Sequence, residues 1–169
     1  IAADFEKKST HGVIKFCVGA LDGLLIQIGR PTLKESDNPD SYFSGHYQMF
    51  GLNCQGVCDS HYRFTFFAVA APGKTGDIRA MERTPLPALI ADLPFLFYIV
   101  GDAAYVASDK LLTPFKGTQR DTPENSSFNF YLSQIRIRIE AAFGLLTTKF
   151  QILRGGLVGC SLPVASDTI

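Results

Sequence analysis

Between Ser127 and Phe150, the residues Phe128, Tyr131, Ile135, Ile139, Ala142, Phe143, Leu146 and Phe150 recur at steps of three and four. That is the period of one helix face, so the stretch predicts a long helix with one stripe packed on a core. Gly155-Gly156 is the expected stop.

The upstream half reads mostly as strands. Val13 to Ile28 (VIKFCVGALDGLLIQI) is dense in small and β-branched apolar residues. It predicts a strand that ends or bulges near Ala20–Gly23 and continues through Leu24–Ile28. Gly29 to Gly45 carries Pro31, Asp37, Asn38, Pro39 and Asp40 and is loop by composition. Tyr47–Val57 and Tyr62–Ala70 are strand-like runs joined by Asp59-Ser60-His61, the economical pattern of a hairpin. Within the second run Tyr62, Phe64 and Phe66 are expected to share one face. Pro72-Gly73 stops it, and Thr75 or Asp77 is placed to cap a helix over Ile78–Ala91 that Pro85 and Pro87 weaken. Phe95–Gly101 (FLFYIVG) predicts a short strand buried on both faces. Thr113–Ser127 is a second polar loop. Strands, helix, strand and long helix make a mixed α/β domain without repeats.

Composition narrows the classes. The 169 residues suffice for one buried core. An apolar share of 46% with 14 Phe excludes a disordered tail. Sixteen basic residues balance sixteen acidic ones, which argues against a whole-surface grip on nucleic acid or an anionic membrane but leaves room for a local basic patch. The longest apolar stretch, Ala88–Val100, is interrupted by Asp92 and Pro94 and falls short of the ~20 residues of a span, so no membrane partner is expected. Cys17, Cys54, Cys58 and Cys160 read as buried reduced thiols, which points to an intracellular compartment. The chain begins at Ile1 with no signal-like segment, and is expected to be a piece of a longer product.

Three carboxylates stand on apolar elements. Asp22 lies inside a strand, Asp102 at the end of FLFYIVG, and Glu140 on the long helix one turn after Arg136. Converging, they would form an oxygen-only cluster suited to Mg²⁺ or Mn²⁺. Two ions ~4 Å apart there can activate a water or a 3′-hydroxyl and stabilise the leaving oxygen of a phosphodiester. The plainer readings are a turn residue for Asp22, a strand-end cap for Asp102 and an ion pair with Arg136 for Glu140. Rival chemistries are weaker. Ala68–Thr75 fits a permissive Walker A pattern, but Ala68 lies within a strand and Pro72 removes an amide from the cradle. Cys54, Cys58, His46 and His61 have zinc-binding atoms, yet the cysteines fall in an apolar strand rather than on a tight turn. No nucleophile-elbow motif surrounds any serine.

ALDG (20–23), PGKTGDIRA (72–80), VGDAAY (100–105), LLTPF (111–115) and above all FNFYLSQIRIRIEAAFGLL (128–146) resemble, in order, the nuclease core of DDE transposases of the PIF/Harbinger superfamily. The resemblance runs from Gly19 to Leu153, and Arg136–Gly144 is its most specific piece. It implies a ribonuclease H-like fold, a mixed sheet with flanking helices. The core would be residues 13–154, incomplete at both ends, with 1–12 and 155–169 flanking. It also implies a metal-dependent DNA endonuclease and strand-transfer domain using Mg²⁺ or Mn²⁺, two ions, and no organic cofactor. Asp22 and Asp102 would hold or bridge the ions, Glu140 would complete the second site, and Arg136 would brace Glu140 or a DNA phosphate. Asp77 and Asp59 are candidates for supporting those carboxylates, Asp77 also for touching DNA. Lys74, Arg79, Lys116, Arg120, Arg136, Arg138 and Lys149 are the basic candidates for DNA contact. The family further implies DNA as partner, a separate DNA-binding subunit, self-association and the nucleus. The chain departs from the commoner pattern at Leu24-Leu25, where Thr-His is usual, at Gly76, where His precedes the aspartate, and at Thr147, where Lys is frequent. A catalytically inactive, transposase-derived binding module is the alternative.

Overall fold

Strand β1, Cys17–Gln27, organises the protein. The structure is a computed structural model and describes residues 1–157, 159, 161 and 162; Cys160 and the segment 163–169 lie outside the described residues. Helix α1 (Ala2–Lys8) precedes β1. After β1 come β2 (Phe43–Ser44), β3 (Met49–Cys58) and β4 (Phe64–Pro72). Helices α2 (Asp77–Glu82) and α3 (Leu86–Ala91) follow, then β5 (Tyr98–Val100) and β6 (Leu111–Leu112). The long helix α4 (Pro123–Lys149) and the short α5 (Gln151–Gly155) close the order.

The strands form one sheet in the order β2-β3-β1-β5-β6, with β4 also on β3. β3 runs antiparallel to β1 from Ala20↔Cys58 to Gln27↔Gly51, while β5 runs parallel to β1, with Ala20 opposite Val100. Neighbouring residues of a strand point to opposite faces. Ala20, Cys58 and Val100 therefore join Leu132, Ile135, Ile139, Ala142 and Phe143 of α4 and Phe5 of α1 in one core. Their neighbours Leu21, Val57 and Ile99 join Leu86 and Ile90 of α3 in a second core on the other face. A sheet covered on both faces explains why the strands are nearly continuous apolar runs rather than alternating ones. The result is a mixed α/β fold with helices flanking a mixed sheet, compatible with the ribonuclease H-like arrangement.

Helix α4 carries the expected stripe. Thr122 caps it by accepting from the Asn125 amide at 3.3 Å, with Pro123 in the first turn, so it begins inside the stretch read as loop. It ends at Lys149, earlier than the Gly155-Gly156 stop, because the backbone leaves helical geometry at Phe150, whose ring is half exposed. Among the described residues no helix is long and apolar enough to cross a membrane.

Four local expectations are corrected. The ladder between β1 and β3 runs unbroken through Ala20–Gly23; the irregularity lies at Cys17/Gly19, against β5. Phe64 and Phe66 face opposite cores, because Phe64 pairs with Cys58 and Phe66 with the adjacent Val57, leaving Thr65 as a bulge that inverts the alternation. Of Phe95–Gly101 only Tyr98–Val100 is strand, and Phe95 is 87% exposed because it sits in the turn that begins at Pro94. The single helix expected over Ile78–Ala91 is two, interrupted before Pro85, and Gly76 rather than Thr75 or Asp77 is the N-cap.

Candidate active site

The parallel register of β1 and β5 sets the site. With Ala20 level with Val100, Asp22 and Asp102 each lie two residues further along neighbouring strands, where β5 has ended and the chain turns away. The crevice beyond the carboxyl ends of parallel strands is where α/β sheets hold ligands. Here Asp22 and Asp102 line a cleft of about 490 Å³ together with Asp77, Asn53, Lys74, His46 and Tyr47.

Each aspartate is held by one oxygen. Asp22 Oδ1 accepts from the Gly23 amide at 2.9 Å, and Asp102 Oδ1 accepts from the Ala104 amide at 2.6 Å in a side-chain-closed turn. Asp77 Oδ1 accepts from Asn53 Nδ2 at 3.0 Å and from Gln55 Nε2 at 3.3 Å. Among the described residues, no hydrogen bond reaches the second oxygen of any of the three.

These charges act on one another. Burial pushes the Asp22 carboxyl up to about 6; the Gly23 amide opposes this, Asp102 adds to it, Arg136 opposes it and Asp77 adds to it. Burial, with Asp77, Asp22 and Asp102 around it, also drives the Tyr105 phenol far above its usual range, so its hydroxyl remains a donor. Like-charged oxygens gathered in one cleft with uncommitted lone pairs are the donor chemistry of a hard divalent cation. Among the described residues no three His, Cys, Asp or Glu side chains form a group able to hold an ion as they stand. The carboxylates surround the cleft rather than closing a cage.

Glu140 is placed differently. It is 48% exposed on α4 and pairs with Arg136, Nη2 to Oε1 at 3.3 Å. It is not among the cleft-lining side chains, but Arg136 links it electrostatically to Asp22. Asp59 is drawn into the hairpin turn, where its carboxylate accepts from the His61 and Arg63 amides and the Arg63 side chain. Arg138 lies over the Tyr62 ring at 5.4 Å and bonds its hydroxyl, so it packs on the turn between β3 and β4.

The sequence reading missed Asn53, Gln55 and the bond from Tyr105 to Gln55. Their one signal was polar side chains within an apolar strand. The Walker-like segment makes no phosphate cradle: β4 is a hairpin strand, and the amides of Gly73, Lys74 and Thr75 donate to Gly51, Ser41 and Pro72 carbonyls. Cys54 and Cys58 are buried in separate cores, and burial raises both thiols to about 12, as it does that of Cys17.

The family model described as DDE superfamily endonuclease matches residues 21–168. No curated protein and no solved structure matches the chain. The matched span contains Asp22, Asp77, Asp102 and Glu140 and implies a nuclease-type activity with DNA as substrate. On that match the chain belongs to the DDE superfamily endonucleases.

Proposed function

We propose that the chain is the nuclease core of a PIF/Harbinger-type transposase, hydrolysing a phosphodiester at a DNA end and passing the freed 3′-hydroxyl to target DNA. One observation carries this reading: Asp22, in the middle of β1, and Asp102, two residues past the end of β5, stand level just beyond the parallel ladder, each anchored by one oxygen with the other uncommitted. Asp22 and Asp102 would hold or bridge two Mg²⁺ or Mn²⁺ ions, and Glu140, which lies on α4 outside the cleft lining, would have to turn from Arg136 to complete the second site. Bound there, such ions supply Lewis acidity to a phosphodiester and lower the pKa of an attacking water or hydroxyl. The chain's own residues do the rest. The Gly23 and Ala104 amides fix the carboxylates' direction. Arg136, paired with Glu140 at 3.3 Å, would brace that carboxylate or a DNA phosphate, and Lys74, exposed at the cleft, would attract the backbone. DNA, a separate DNA-binding subunit, self-association and residence in the nucleus belong to the same proposal.

The test is Mn²⁺ titration by calorimetry beside Asp102→Asn, followed by nicking of supercoiled DNA. Saturable binding and metal-dependent nicking, both lost in the variant, are expected. A folded chain that binds no metal and cuts nothing would leave a transposase-derived binding module in place of the enzyme.

A further inference from the structure

A glutamine at the centre of a sheet needs a reason. Gln55 lies mid-β3, fully buried, opposite Gly23 and two residues from the core residue Val57. An apolar side chain would fill the position without the desolvation that a buried amide suffers.

Every polar atom of this amide is engaged. Its Oε1 accepts from the Tyr105 hydroxyl at 2.7 Å. Its Nε2 donates to Asn53 Oδ1 at 2.8 Å and to Asp77 Oδ1 at 3.3 Å. The partners fix the amide's direction, since a phenol that stays protonated needs the oxygen and a carboxylate needs the nitrogen. Asn53 completes the web by donating to Asp77 and to the Thr75 carbonyl, both at 3.0 Å. Tyr105 follows Asp102 by three residues, in the loop that β5 feeds, while Asp77 opens α2.

We propose that Gln55 is a positioning residue that ties the two walls of the cleft together, setting Asp77 through its nitrogen and the Asp102 loop, via Tyr105, through its oxygen. The inference rests on the reading of the cleft as a metal-dependent active site. A relay of this kind lets the position of one carboxylate constrain the other although they lie on different elements. Groups that orient metal-facing carboxylates without touching the ion typically change affinity by about 10- to 100-fold when removed.

The test compares Tyr105→Phe, Gln55→Met and the double variant with wild type. Amide hydrogen exchange is read on the metal-free chain, Mn²⁺ affinity by electron paramagnetic resonance, and stability in urea. Tyr105→Phe is expected to speed exchange of the Ala104 amide and of the Ala80 amide, which donates to the Gly76 carbonyl in the first turn of α2, together and by about tenfold, with the β1–β3 ladder unchanged. Mn²⁺ affinity is expected to fall by about tenfold. The double variant removes the orphaned hydroxyl that Gln55→Met leaves, so stability recovers while exchange and affinity stay impaired. Recovery of all three would reduce Gln55 to a packing role and overturn the proposal, as would unchanged exchange in folded Tyr105→Phe. If Gln55→Met does not fold, Tyr105→Phe decides. If wild type and Asp102→Asn alike bind no Mn²⁺, the metal reading fails, and exchange still decides whether the walls are coupled.

Discussion

The Asp77 carboxylate lies directly over Gly23: a methyl group built on that glycine would stand 2.4 Å from Asp77 Oδ1. Asn53 and Gln55 hold the same oxygen by hydrogen bonds, so the carboxylate cannot retreat without losing them. The glycine after Asp22 thus makes room for a second acidic residue beside the first. Gly23→Ala should displace Asp77 and destabilise the protein by about 1–3 kcal/mol in urea unfolding, with weaker Mn²⁺ binding. An unchanged midpoint and unchanged binding would show that Asp77 moves aside freely.

Asp22 should make stability depend on pH. Its carboxyl titrates at about 6 in the folded chain, against about 4 when unfolded. Between these values the folded state keeps a proton that the unfolded state releases, so this group's contribution falls as pH rises through the window. The penalty is fully present above pH 6 and absent below the unfolded value. Asp22→Asn should therefore gain on the order of 2 kcal/mol at pH 7.5, shrinking toward zero near pH 4, by urea melts across the range. A gain independent of pH would assign the effect elsewhere. The same titration should weaken Mn²⁺ binding as pH falls through 6, because proton and metal compete for one carboxylate.

Arg136 pairs with a half-exposed Glu140, an arrangement that contributes at most about 1 kcal/mol. Arg136→Leu should accordingly shift the urea midpoint little. It should raise the Asp22 titration, followed by carbon NMR, because the guanidinium is the one arginine that draws that carboxyl down. A large loss of stability with no change at Asp22 would make Arg136 a fold residue instead.

Helix α4 offers a test of faces. Ile139 is fully buried against the sheet, whereas Ile137 is half exposed two residues earlier. Ile139→Ala should cost about 2–5 kcal/mol and Ile137→Ala about 0.5 kcal/mol or less, by urea unfolding. Equal losses would mean that α4 is rotated from the orientation described.

Signals confined to a few neighbouring residues were legible in the chain. The three- and four-residue recurrence of Ile135, Ile139, Ala142 and Leu146 marked α4 and the side it buries, and Asp59-Ser60-His61 marked the hairpin turn. Phe64 and Phe66 misled because a bulge at Thr65 is a property of the pairing with β3, invisible in either strand alone. Phe95 and Leu96 read as strand because apolar runs look alike whether or not a partner strand lies beside them. Gln55 and Asn53 drew no notice because a buried amide announces itself only once its partners are known.

Local periodicity and side-chain type were enough to mark the residues that could carry the chemistry: carboxylates on apolar elements, a long helix with one buried stripe, and the order of the principal strands. Which carboxylates meet is a matter of strand pairing. The parallel ladder that sets Ala20 beside Val100 brings Asp22 level with Asp102, and the amides of Asn53 and Gln55 draw Asp77 of α2 into the same cleft. Both juxtapositions depend on hydrogen bonds between segments far apart in the chain, whose register no short stretch of sequence encodes.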